Sequence, residues 1–233
     1  MQLERLLSLA QQHLVVTIDE TRDDLWLWEH AQRVLHLAQG IAAIPDLAAE
    51  SIDEAAIAAG ALFHDAGWIT EYEQGRWKRW QLLGRPTNDI QRELGAALLQ
   101  EEAGALLPAG SLRRAADAIR QCNDRKTALI EARIVAEAEA LDEMGAMYLL
   151  RHFRQYQAEG RPLQQLVDTW QRQKEYRFWD LRLQDGFYWD TTRALARDRL
   201  DAVDTFMSAL ARDLHGEDVQ HMLARPGTAA ASD

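Results

Sequence analysis

The chain has 233 residues, 47% hydrophobic and 27% charged, which suits one large domain with a sizeable core and excludes disorder or a low-complexity array. Lys plus Arg number 26 against 37 Asp plus Glu, and the net charge of −11 argues against a nucleic-acid polymer or an anionic membrane as partner. A lone cysteine, Cys122, excludes an internal disulfide and a thiolate metal cluster within one chain, so a reducing, cytoplasmic setting is expected.

In chain order, Leu3, Leu6, Leu7, Ala10 and Leu14 recur at helical spacing among charged residues, an amphipathic helix rather than an export signal. Ala55 to Phe63, the longest small and apolar run, falls short of the ~18–20 residues that cross a bilayer, so no membrane anchoring is expected. Prolines at 45, 86, 108, 162 and 226 punctuate long Ala, Leu, Glu, Gln and Arg-rich stretches, which predicts an all-α fold. Leu27, His30, Val34, Leu37, Ala38 and Ile41 form the buried stripe of a helix over 24–43. A second helix, 52–65, carries Ile57, Ala61 and His64 on one line, with Gly67 placed to end it.

Residues 68–88 read as a connection with short helical turns, broken by Gly75, Gly84 and Pro86. Helices follow over 89–102 and 111–121, and another begins near Lys126 with Ile130, Ile134, Ala138 and Leu141 on its buried face. Further helices are expected over 144–157, 163–175 and 189–214, with a turn at Gln184-Asp185-Gly186. The predicted architecture is one compact multi-helix bundle over 1–215, followed by a disordered tail over 216–233.

Three of these helices present candidate ligands: His30, the adjacent His64 and Asp65, and Glu139 or Glu137. Imidazole nitrogen with carboxylate oxygen suits a divalent ion such as Mn, Fe, Zn, Co or Ni, with positions left for water and substrate. Successive helical residues point about 100° apart, so His64 and Asp65 share an ion only if it lies over the groove between them.

The stretches Trp-Glu-His30-Ala-Gln-Arg-Val-Leu, Ala-Leu-Phe-His64-Asp65-Ala-Gly and Ala-Arg-Ile-Val-Ala-Glu-Ala-Glu139-Ala-Leu-Asp-Glu-Met-Gly resemble the HD-domain superfamily of metal-dependent phosphohydrolases. The likeness covers roughly residues 20–150, and segment 179–210 looks like the closing helices of small bacterial members. It implies an all-α HD-like bundle in which His30, His64 and Asp65 are metal ligands, with Glu139 standing where the family usually has Asp. Residues 66–138 hold no histidine, whereas two-metal members supply extra ones there, so one divalent ion (Mn, Mg, Fe, Co, Ni or Zn) is expected.

The implied reaction is hydrolysis of a phosphate ester in a nucleotide or other small phosphorylated metabolite, with metal-activated water as the attacking group. Asp65, Arg33 and Lys126 are the catalytic candidates: Arg33 lies three residues after His30, and Lys126, like Arg125, precedes the Glu139 helix. Glu29, Glu71 and Glu137 remain open as general acid or base. Burial logic alone makes His30 a core histidine and Glu139 a surface carboxylate, and the ordered set is what turns the reading toward a site. The competing function is a non-catalytic binding protein of the same fold with a degenerate metal site. No pattern encodes oligomeric state, and a homodimer stays open.

Overall fold

The computed structural model describes residues 2–224, and their fold is all-helical apart from one short hairpin. The chain runs α1 (Gln2–Leu14), β1 (Val16–Asp19), β2 (Arg22–Asp24), α2 (Trp26–Ala42), α3 (Glu54–Phe63), α4 (Gly67–Glu73), α5 (Asp89–Glu102), α6 (Ala109–Gln121) and α7 (Ile130–Asp142). It continues through α8 (Ala146–Glu159), α9 (Leu163–Glu175), α10 (Phe178–Gly186), α11 (Asp190–His215) and α12 (Glu217–Ala224). Single 3₁₀ turns at Pro45–Leu47 and Arg79–Gln81 fill the longer connections.

Helix α3 is the axis of the bundle. Its sequence, EAAIAAGALF, is small or apolar nearly all round, and every residue from Ala56 to Phe63 is buried. Asp53 caps it by accepting from Ala56 N at 3.0 Å. Helices α1, α2, α5, α6 and α7 all pack on it, and α8 to α11 form a second layer in which α11 touches α7, α8, α9 and α10. One buried apolar cluster extends from Leu6 to Met207 across both layers. Trp28, Trp68 and Trp170 are buried within it, while Trp26, Trp179 and Trp189 pack against its edge.

Several details depart from the sequence expectation. The hairpin β1–β2, with Val16 opposite Asp24 and Asp19 opposite Arg22, was not foreseen. Gly67 does not terminate a helix; it opens α4, after His64 has capped α3. A Cβ at Gly67 would sit 2.0 Å from Gln91 O and one at Gly95 2.7 Å from Phe63 O, so glycine lets the α3–α4 corner touch the backbone of α5. The expected turn at 184–186 is the end of α10. Lys126 precedes α7 in a turn closed by Thr127 N on Asp124 O, and is exposed. The expected tail begins instead as helix α12, and the rest of that expectation, 225–233, lies outside the described residues. Among the described residues no helix is long and apolar enough to cross a membrane.

Candidate metal centre

Helix α2 contributes His30, the C-terminal end of α3 contributes His64, and the α3–α4 corner contributes Asp65. The break in helix direction resolves the difficulty of adjacent residues pointing apart, because the corner lets both face His30. His30 Nε2 lies 3.2 Å from His64 Nε2 and 3.1 Å from Asp65 Oδ2, and His64 Nε2 lies 3.5 Å from the same oxygen. All three residues are buried.

The opposite ring nitrogens fix what these atoms are. His30 Nδ1 lies 2.7 Å from Asp142 Oδ2 and His64 Nδ1 2.8 Å from Ala61 O; both partners are acceptors, so each Nδ1 carries the proton. With both imidazoles neutral, two lone-pair nitrogens and a carboxylate oxygen then face one another with no donor among them. Ligands bonded at about 2.1 Å stand about 3.0–3.4 Å apart in octahedral or tetrahedral geometry, so this triangle fits one face of a divalent ion's coordination shell. Without an ion, a second proton relieves the crowding: burial disfavours the charged imidazole, but Asp142 and Asp65 outweigh it at His30 and raise its pKa, whereas burial lowers that of His64. Asp65 is held well below the usual carboxylate range by His64, Arg92 and His30 despite its burial.

Arg92, on α5, is the residue the sequence did not reveal. It is 1% exposed, yet its guanidinium reaches Asp65 Oδ1 at 2.7 Å, Glu139 Oε2 at 2.5 Å and His64 O at 3.0 Å. Thr87 also donates to Asp65 Oδ1 at 2.6 Å and accepts from Trp68 Nε1 at 2.8 Å. Asp65 is therefore divided, with Oδ1 bonded to protein and Oδ2 turned to the histidines. The ion-like charge of Arg92 also claims Glu139, which does not join the three ligand atoms that cluster within 4.8 Å of one another. Burial opposes ionisation of Glu139, but Arg92 lowers its pKa and keeps it charged.

The other expected residues fall into place around this core. Arg33 grips Asp142 through Nε at 2.6 Å and Nη2 at 3.2 Å and so orients the carboxylate behind His30, and the two residues together line a separate cavity of about 410 Å³. Asp142 lies one helical turn after Glu139, and that i, i+3 spacing was the signal available for it. Glu137 turns away from the site to accept from Tyr188 N, Trp189 N and Thr192 Oγ1 at the start of α11, and burial pushes it up to about 7. Glu71 is occupied by Arg76, Trp77 and Gln91, and Glu29 is exposed. The Cys122 thiol, near Arg92, is pushed up to about 12 by burial and stays protonated.

Outside the Arg92–Glu139 pair lies a cavity of about 280 Å³, lined among others by Thr87, Asn123, Arg125 and Arg182. Its charged walls are three arginines (Arg92, Arg125, Arg182) against two glutamates (Glu139, Glu143), a positive balance within a chain of net charge −11. Lys126 is not part of this lining.

Comparison with known proteins places the same segments in one family. A family model described as the HD domain matches residues 27–144. Among solved structures, Bacillus subtilis YpgQ in complex with ADP is 22% identical, with a TM-score of 0.59 and coverage of 91% of this chain and 94% of that one. A predicted HD superfamily hydrolase from an uncultured Thermotogales bacterium is 19% identical (TM-score 0.57; 91% and 93% covered). The Lin1889 protein of Listeria innocua is 21% identical (TM-score 0.56; 92% and 98% covered). No curated protein matches the chain.

Proposed function

Because the chain belongs to the HD-domain family of metal-dependent hydrolases, we propose that it hydrolyses a phosphate ester of a nucleotide or another small phosphorylated metabolite. The observation that carries this reading is the buried triangle of His30 Nε2, His64 Nε2 and Asp65 Oδ2 beside an arginine-lined cavity. A divalent ion held there supplies Lewis acidity toward a phosphoryl oxygen and toward water.

The chain's own residues do the rest. Asp142, clamped by Arg33, holds His30 in one tautomer, and Ala61 O does the same for His64. Arg92 keeps Asp65 and Glu139 ionised without a second metal ion. The phosphate-binding role expected of Arg33 and Lys126 passes in this reading to Arg92, Arg125 and Arg182, whose guanidiniums suit phosphate oxygens. Glu139, ionised at the cavity wall, is the acceptor best placed to take a proton. The ADP bound to Bacillus subtilis YpgQ supports a nucleotide as the ligand class.

Elemental analysis of gently purified protein tests the reading, paired with phosphate release from nucleotides and sugar phosphates in added Mn, Mg, Co or Ni. About one ion per chain with metal-dependent turnover is the expected result. The Arg92–Glu139 pair, which occupies the fourth carboxylate, favours the second reading, a binding protein without turnover. Ligand binding with no phosphate release under any metal would establish that one instead.

A further inference from the structure

A second cavity, of about 170 Å³, opens beyond the first and shares Pro86, Glu143 and Arg182 with it. Most of its wall comes from α8, α9 and α10, after residue 144, where the match to the family model ends. Three independent features set it apart.

The first is charge: Arg85, Arg151 and Arg182 line it against Glu143 alone, and Glu143 is already spent on Arg151 and Arg182. The second is unsatisfied donors. Of the five buried side-chain N–H groups without a hydrogen-bond partner among the described residues, three, Arg151 Nε, Trp179 Nε1 and Arg182 Nε, belong to residues that line this cavity, while Trp26 Nε1 and Arg154 Nε lie outside its lining. Orphan donors are rare in folded proteins, and their clustering at one cavity points to an absent acceptor. The third is backbone strain. Leu83 (φ 60°) and Arg177 (φ 54°) are the only non-glycine residues with positive φ among the described residues. Leu83 lines the cavity, and Arg177 directly precedes Phe178 and Trp179, which do likewise. Strain of this kind persists where the surrounding structure fixes a working geometry.

The wall is also aromatic. Tyr148 and Trp179 stand edge to face with centroids 5.4 Å apart, so a planar group finds apolar faces there. Acceptors are scarce: Gln173 Oε1 takes the Tyr148 hydroxyl, and His152, donating Nδ1–H to Tyr148 O, keeps Nε2 as a lone-pair site.

We propose that this cavity receives the head group of the phosphorylated substrate, a planar ring edged by lactam or imide oxygens rather than by an amino group. Ring oxygens satisfy the arginine and indole N–H groups, and the ring N–H between them suits His152 Nε2. An exocyclic amine would instead set donor against donor. The phosphate end then extends through the shared wall at Arg182 toward Arg92. The inference rests on the phosphohydrolase reading for that second end only.

Calorimetric titration of the full chain as purified, with matched pairs of ligands, is the test. Uridine 5′-monophosphate against cytidine 5′-monophosphate, and inosine against adenosine 5′-monophosphate, exchange one oxygen and the neighbouring ring N–H for one amine and a ring lone pair at constant phosphate. The oxo member of each pair is expected to bind at least about tenfold tighter. Trp179→Phe, which keeps an aromatic face, though a smaller one, and deletes one donor, is expected to shrink that preference to about threefold. Affinities equal within twofold, or ribose 5-phosphate binding as well as uridine 5′-monophosphate, would overturn the proposal. Metal-dependent phosphate release without a head-group preference sinks this inference and leaves the hydrolase standing; absence of metal, turnover and binding together sinks both.

Discussion

Arg92→Met withdraws one positive charge from between two buried carboxylates while keeping a long, unbranched side chain. Asp65 Oδ1 then loses its 2.7 Å bond and Glu139 its 2.5 Å bond, and both stay ionisable in a low-dielectric setting. Breaking a buried pair costs about 3–5 kcal/mol, because the surviving charge is stranded. The Glu139 side chain is 15% exposed, so water relieves part of its share, and about 3 kcal/mol is the expected loss in metal-free protein. At about 2–4 °C per kcal/mol for a chain of this size, the melting temperature falls by about 6–12 °C. A divalent ion on Asp65 Oδ2 returns part of the missing charge, so the loss shrinks to under about 4 °C in saturating Mn. Circular-dichroism melts of wild type and variant, in chelator and in Mn, give both numbers. A fall below about 2 °C in chelator, or equal falls in both conditions, refutes the account of Arg92 as the resident cation.

Asp142→Asn leaves His30 an acceptor but removes the charge that Arg33 clamps, and metal affinity by chelator competition is expected to drop about 10–100-fold with the fold intact. Gly67→Ala drives a methyl group into Gln91 O, so denaturant unfolding is expected to show a loss of about 1–3 kcal/mol or more, with weaker metal binding as the α3–α4 corner shifts. Glu137 has its pKa raised from 4.5 to about 7 by burial, so the folded chain holds that proton more tightly and stability falls as pH rises through this interval. Glu137→Gln is expected to flatten the fall between pH 5 and pH 8 in urea titrations; parallel slopes would show that Glu137 ionises at no cost.

His30 and the His64-Asp65 pair were legible because each sits in a recognisable stretch and at a definite helix position, and the structure joins them. Helices α5 and α9 were legible to the residue, since an Asn88 cap starts one and Pro162 precedes the other. Arg92 was not legible: in Asp-Ile-Gln-Arg-Glu-Leu it reads as a solvated face, and only the glycine-mediated contact of α5 with the α3–α4 corner buries it. The i, i+3 spacing puts Arg33 beside His30, but its bond to Asp142 could not be read from the sequence, because Asp142 arrives from 109 residues away. The hairpin was missed because its strands have four and three residues, too few for alternation to declare itself.

The clustering of Arg85, Arg92, Arg125, Arg151 and Arg182 along one cleft of an acidic chain gives an approaching anion two fields of opposite sign. At a distance it meets repulsion from the net charge of −11, and only inside the mouth does it meet the guanidiniums. Salt shortens the outer field to about 10 Å at 0.1 M and reaches the recessed charges far less. Moderate ionic strength therefore speeds capture of a small anion, the reverse of steering by a basic surface. A long polyanion, most of whose phosphates must stay outside, is expected to gain little from the cleft and to keep the full repulsion, so that the acidic exterior would discriminate by size where no cavity wall does.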